Sequence, residues 1–192
     1  MNRETKKELT RTRIKEAALS LFAEQSYEST TIEQIAKLAG VAKGTFFNYF
    51  MSKDELICDL QGLFVINEII KLKDKQGPLI PKMQLIIFEL LRQFPLNKGL
   101  TRALFQAILG SDKALEKHRK LIADLKDVII PLVEYGQECG ELRKEMPADM
   151  IAQLALHTYF GTLILWSMEE DEEKLNEQMV VTFDLFFKGI VV

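Results

Sequence analysis

The chain has 192 residues, 47% apolar and 28% charged, and its 25 basic and 28 acidic side chains leave a formal net charge of −3. With 10 Gly and 5 Pro, that balance excludes wholesale disorder and collagen-like repeats and leaves one folded domain, or a small one plus a medium one. Two cysteines, Cys58 and Cys139, exclude a disulfide framework, and the two histidines, His118 and His157, stand 39 positions apart without a metal-ligand spacing. The amino terminus continues into charged residues rather than an apolar export segment, so a cytoplasmic location is expected.

Charge is unevenly placed. Residues 1–15 hold six basic and two acidic side chains, whereas residues 56–192 hold 16 basic and 20 acidic ones. Attraction for a polyanion is therefore confined to the amino-terminal end.

Helical periodicity dominates from there on. Ile14, Ala17, Ala18, Leu21 and Phe22 stripe one face of a first helix. The segment Thr31-Ile-Glu-Gln34 reads as a capping box opening a short helix through Leu38, and Ser52-Lys-Asp-Glu55 has the same form at the head of a long helix running to Lys75. Gly77-Pro78 and Pro81 break the chain, after which periodic segments fall near 82–94, 98–109, 113–138, 147–168 and 173–189. Pro131 is expected to kink or divide the third of these by removing a backbone donor. The span Met150–Met168 carries no charge, but Gln153, His157, Thr158, Gly161, Thr162 and Ser167 interrupt it, and no basic cluster anchors it. A helix buried on two sides, against its own domain and a partner subunit, explains it better. Met179, Phe183, Phe186, Phe187 and Ile190 supply a candidate second interface helix, with ordinary intrachain core as the alternative.

Residues 32–50 show two short helices separated by a glycine turn, the helix-turn-helix pattern. Ala36 is small where the helices approach, Gly40 suits positive φ, and Ile35, Ala39, Val41, Phe46 and Phe50 point inward. The second helix then presents Lys43, Gly44, Thr45, Phe47, Asn48 and Tyr49, and a helix of that width fits the DNA major groove.

The stretch from Thr30 to Leu56, with the Ile14–Tyr27 helix before it, resembles the DNA-binding domain of TetR-family transcriptional regulators over about residues 10–60. The resemblance implies an all-α fold of about nine helices: a three-helix DNA-binding domain over 1–52 and a ligand-binding and dimerisation bundle over 53–192. It implies a homodimer that binds a roughly palindromic double-stranded operator and acts without a cofactor. It further implies a repressor released by a small-molecule inducer, here a largely apolar one. Carried over by position, Thr31, Lys43 and Lys53 meet phosphates, Gly44 lets the backbone approach, and Thr45, Asn48 and Tyr49 face bases or nearby backbone. Phe47 stands where relatives commonly have Tyr, losing a phenolic phosphate contact but keeping a ring for a thymine methyl. Ala42 replaces a common Ser, so the recognition helix lacks a hydroxyl cap.

In the remaining two-thirds, Phe64, Phe88, Phe105, His157, Tyr159 and Trp166 are candidate lining residues of an apolar pocket, although such side chains at helical spacing also serve as core. Inducer binding is expected to tilt the helix from Lys53 to Lys75 and change the separation of two reading heads, which must lie about 34–36 Å apart to meet successive grooves. No phosphate loop, nucleophile motif or metal cluster points to an enzyme. Two other readings are a DNA-bound protein acting through protein partners and a helical ligand-binding protein without a transcriptional role.

Overall fold

The structure, a computed structural model, describes residues 3–57, 59–60, 77–93, 97–169 and 174–192. Its first part comprises α1 (Arg3–Gln25), α2 (Ile32–Leu38), α3 (Lys43–Phe47) and a helical stretch over 53–57, α4. The remainder comprises α5 (Leu79–Gln93), α6 (Lys98–Leu109), α7 (Asp112–Glu138), α8 (Ala148–Met168) and α9 (Leu175–Ile190). Among the described residues there is no strand, only an isolated bridge between Leu142 and Val191. The all-α expectation holds.

Two apolar cores organise these helices. The first joins Ile14, Ala18 and Phe22 of α1 to Ile35, Phe46 and Phe50. It continues into Leu56, Ile57 and Leu60, and Leu100, Leu104 and Ile108 of α6 complete it. The amino-terminal head is thus seated on the carboxy-terminal bundle through α6. The second core gathers α5, α7, α8 and α9 around Leu125, Ile151, Leu163 and Met179. Burying side chains of this size contributes about 1.5–3 kcal/mol each, which holds both cores against the entropy of ordering the chain.

Three local expectations change in the structure. Helix α5 begins at Leu79, so Pro81 sits within its first turn instead of ending the preceding break. Proline is tolerated there because the first N–H groups of a helix have no intrahelical partner. Pro131 does not divide α7, which runs unbroken through it. Burial of Leu125, Ile129 and Val133 along one face of α7 offsets the missing backbone bond. The third change concerns α9, where Met179, Phe183, Phe187 and Ile190 are buried in the chain's own core. The open apolar face of α9 is instead Val180, Val181 and Leu185.

Among the described residues no helix is long and apolar enough to cross a membrane. That agrees with the reading of Met150–Met168 as a helix packed against others.

Candidate nucleic-acid interface

The head is built around two closures that local sequence dictates. At the start of α2 the Thr31 hydroxyl accepts the Gln34 N–H at 3.2 Å, while the Thr31 N–H donates to Gln34 Oε1 at 2.7 Å. This reciprocal box satisfies two donors that the helix start leaves open. At the other end of α2, Gly40 takes φ +67°, its N–H donates to Lys37 at 3.2 Å, and the Val41 N–H donates to Ala36 at 2.9 Å. That pairing is a Schellman closure, which requires a left-handed residue at the turn and so favours glycine. It redirects the chain into α3 at once.

Helix α3 starts at Ala42 without a side-chain cap, as the missing hydroxyl implies. Its orientation comes from Phe46, fully buried, whose ring lies 5.8 Å from that of Phe50. With Phe46 inward, Lys43, Gly44, Phe47 and Asn48 are exposed, and Thr45 and Tyr49 are half-buried on the same face. Phe47 is 45% exposed although its ring meets Phe46 edge-on. An uncharged face of that kind, edged by a lysine, suits base edges and thymine methyls flanked by phosphates.

The two lysines of the expected set are already engaged. Lys43 pairs with Glu33 of α2, and the hydrogen bond from Lys43 holds the Glu33 carboxyl below the usual carboxylate range. Both side chains are well exposed, so this pair is weak and can open when a phosphate competes for the ammonium. Lys53 turns back to donate to the carbonyls of Tyr27 and Thr30, the latter at 2.9 Å, and its ammonium lies over the Tyr27 ring at 4.1 Å. Burial pushes the Lys53 ammonium's pKa down, against the charges of Asp54 and Glu28. Lys53 therefore closes the α1–α2 loop, and its ammonium keeps donor capacity beyond those two carbonyls.

One cation was missed in the residue-level reading. Arg13 on α1 is exposed, and its Nη1 would lie 3.8 Å from a Cβ placed at Gly40, beside the turn. The signal for it was the basic excess of residues 1–15. Farther in, Arg11 and Lys15 meet Asp59 at 2.9 and 2.5 Å, so these two cations brace α1 against the helix that follows the head.

Residues 14–60 match the family model described as bacterial regulatory proteins, tetR family. The amino-terminal head is therefore of the TetR type. The chain is a DNA-binding transcriptional regulator of that type. A full-length relative, the fatty acid metabolism regulator protein of Bacillus subtilis, is 24% identical over 190 residues, covering 91% of this chain and 92% of its own. The uncharacterized HTH-type transcriptional regulator YhgD of the same organism is 27% identical over 161 residues, 81% of this chain and 83% of its own. Among solved structures, Thermus thermophilus FadR in complex with lauroyl-CoA superposes with a TM-score of 0.69 at 24% identity, covering 95% of each chain. FadR from Bacillus subtilis in complex with stearoyl-CoA gives 0.66 at 23% identity, covering 93% of this chain and 98% of that one. These likenesses carry the TetR fold across both halves of the chain.

The six residues expected to line a ligand pocket occupy different environments in the helical bundle. Tyr159 and Trp166 are buried in the second core, and burial pushes the Tyr159 phenol well above its ordinary value. Phe105 packs partly buried against the same core, whereas Phe88 is 54% exposed. His157 is exposed and lines an open cleft. Phe64 lies outside the described residues.

Proposed function

We propose that this regulator is a repressor that binds a near-twofold-symmetric operator as a homodimer and releases it when an effector occupies the helical bundle. The carrying observation is the face built around α3: Phe46 and the Gly40 turn leave Lys43, Gly44, Phe47 and Asn48 exposed and Thr45 and Tyr49 half-buried, with Asn48 and Tyr49 just past the helix end. Thr45, Asn48 and Tyr49 read bases or adjacent backbone, while Thr31, Lys43 and Lys53 meet phosphates. Residues 1–52 form the reading domain and 53–192 the effector and dimerisation domain. The protein works in the cytoplasm, where its operator is, and the reading assigns it no reaction.

Pairing of two chains is supported by an apolar stripe that the monomer leaves open. Leu154, Leu165 and Met168 on α8 and Val180, Val181 and Leu185 on α9 are all exposed, and α8 and α9 pack side by side. Apolar side chains clustered on two neighbouring helices are the usual material of a permanent interface. A second copy related by a twofold axis would cover the stripe and set two reading heads for successive major grooves, about 34 Å apart.

The effector is a largely apolar molecule, and the relatives solved with lauroyl-CoA and stearoyl-CoA support a long-chain acyl-CoA as the first to try. Its differential affinity for two dimer geometries sets the fall in operator affinity. Mobility shifts with duplexes from upstream of the chain's own gene, at several salt concentrations, test the reading. A selective complex whose affinity falls steeply with salt, and which lauroyl-CoA dissociates, is expected. A strictly monomeric chain indifferent to every duplex would overturn it.

A further inference from the structure

Sequence distance conceals that the chain's two histidines share one site. His118 from α7 and His157 from α8 line a single open cleft of about 440 Å³, together with Lys126 and Gln153. Its apolar wall is Ile122, Leu156 and Phe160, and the His118 ring stands edge-on to Phe160 with centroids 5.1 Å apart. The volume falls within the range of small-molecule sites, which combine an apolar lining with a few convergent polar groups.

The polar groups are of one kind. An ammonium, two imidazoles and a primary amide face the cleft, and among the described residues no carboxylate lines it. Among the described residues Lys126 takes part in no ion pair. Burial pushes the His118 imidazole below its ordinary pKa, so near neutral pH it is an uncharged ring with one N–H to donate. With an ammonium among its polar groups, such a lining suits an oxyanion, because hydrogen bonds from an ammonium to a carboxylate are among the strong ones.

We propose that the α7–α8 cleft binds a small organic anion, a carboxylate with an apolar body. Lys126, His157 and Gln153 hold the carboxylate, and Ile122, Leu156 and Phe160 pack against the body. The site lies on the open flank of the bundle, beside the α8 stripe that a second copy would cover. It is distinct from the effector site proposed inside the bundle.

The presence of only two histidines makes the test direct. In the full chain labelled with carbon-13 at histidine Cε1, the two resonances are assigned with His118→Gln and His157→Gln. They are then followed while octanoate or octan-1-ol is added. Both are expected to move and saturate with octanoate, with octan-1-ol and the Lys126→Met variant each weaker by about tenfold, the worth of one charged hydrogen bond. Unmoved resonances, equal affinity for the alcohol, or undiminished affinity in Lys126→Met would overturn the site. Mobility shifts on the same samples separate this outcome from failure of the regulator reading. Selective operator binding with silent histidines removes the cleft alone, whereas saturable histidine shifts in a chain that binds no duplex support the cleft and remove the regulator.

Discussion

Lys117 of α7 donates to Oε1 of Glu55 in α4 across 62 positions of sequence, while Glu55 Oε2 accepts the Met51 N–H at 2.8 Å. One carboxylate therefore ties the turn after the recognition helix to the bundle. Lys113 Nζ stands 3.8 Å from the same Oε1, so the carboxylate faces two cations where the head meets the helical bundle.

Lys117→Met is expected to lower unfolding free energy by about 0.5–1 kcal/mol, the range for a partly exposed pair. Burial alone would raise the Glu55 pKa, but the hydrogen bonds from Lys117 and Met51 and the nearby lysine charges bring it below the ordinary value. A carboxyl whose folded pKa is depressed contributes stability above its unfolded pKa, about 4.3, and loses it as pH falls through the folded value. Denaturation midpoints measured from pH 6 to 3 should therefore fall less steeply in Glu55→Gln than in the parent chain. Parallel curves would show that Glu55 is not a linked group.

The two glycines of the reading head should respond oppositely to alanine. At Gly40 φ is +67°, so Gly40→Ala places a side chain in the left-handed region and should cost about 1–2 kcal/mol of stability. At Gly44 nothing among the described residues lies within 4 Å of a new Cβ. Gly44→Ala should leave stability unchanged or raise it by up to about 1 kcal/mol and still weaken operator binding, because the methyl meets DNA. Retained affinity in Gly44→Ala would remove the close backbone approach.

Asn48→Ala and Lys43→Ala separate base reading from phosphate holding. The first should cost about 1–3 kcal/mol on the specific duplex and little on random DNA. The second should weaken both duplexes alike and reduce the salt slope by about one. Equal losses on the two duplexes for Asn48→Ala would place that side chain on the backbone rather than on a base.

Leu185→Glu puts a charge in the middle of the exposed α8–α9 stripe. Light scattering should report a monomer with unchanged helical circular dichroism, and operator affinity should fall at least a hundredfold as the second grip is lost. A dimer that survives the substitution would move the interface elsewhere.

Spacing along the chain sufficed wherever the forces are local. The Thr31–Gln34 box, the Gly40 turn and the inward Phe46 are all closed by residues within a few positions of one another. The Ser52–Glu55 cap was only half legible. Ser52 Oγ does accept the Glu55 N–H, at 3.0 Å, but the Glu55 carboxylate takes the Met51 N–H one residue earlier than the box predicts. Lys53 was legible as a cation near the head, but its turn back onto the Tyr27 and Thr30 carbonyls was not.

By itself the sequence determined that this protein is helical, where the reading head lies and which of its residues face outward, because each follows from hydrogen bonds and packing between near neighbours. Only the tertiary structure decided which flank of α9 stays open, that Glu55 meets Lys117, and that His118 and His157 share a cleft. Helical periodicity says which residues occupy the same face. Which faces meet is settled by the shapes and areas that several helices bury together, and that is a property of the assembled fold.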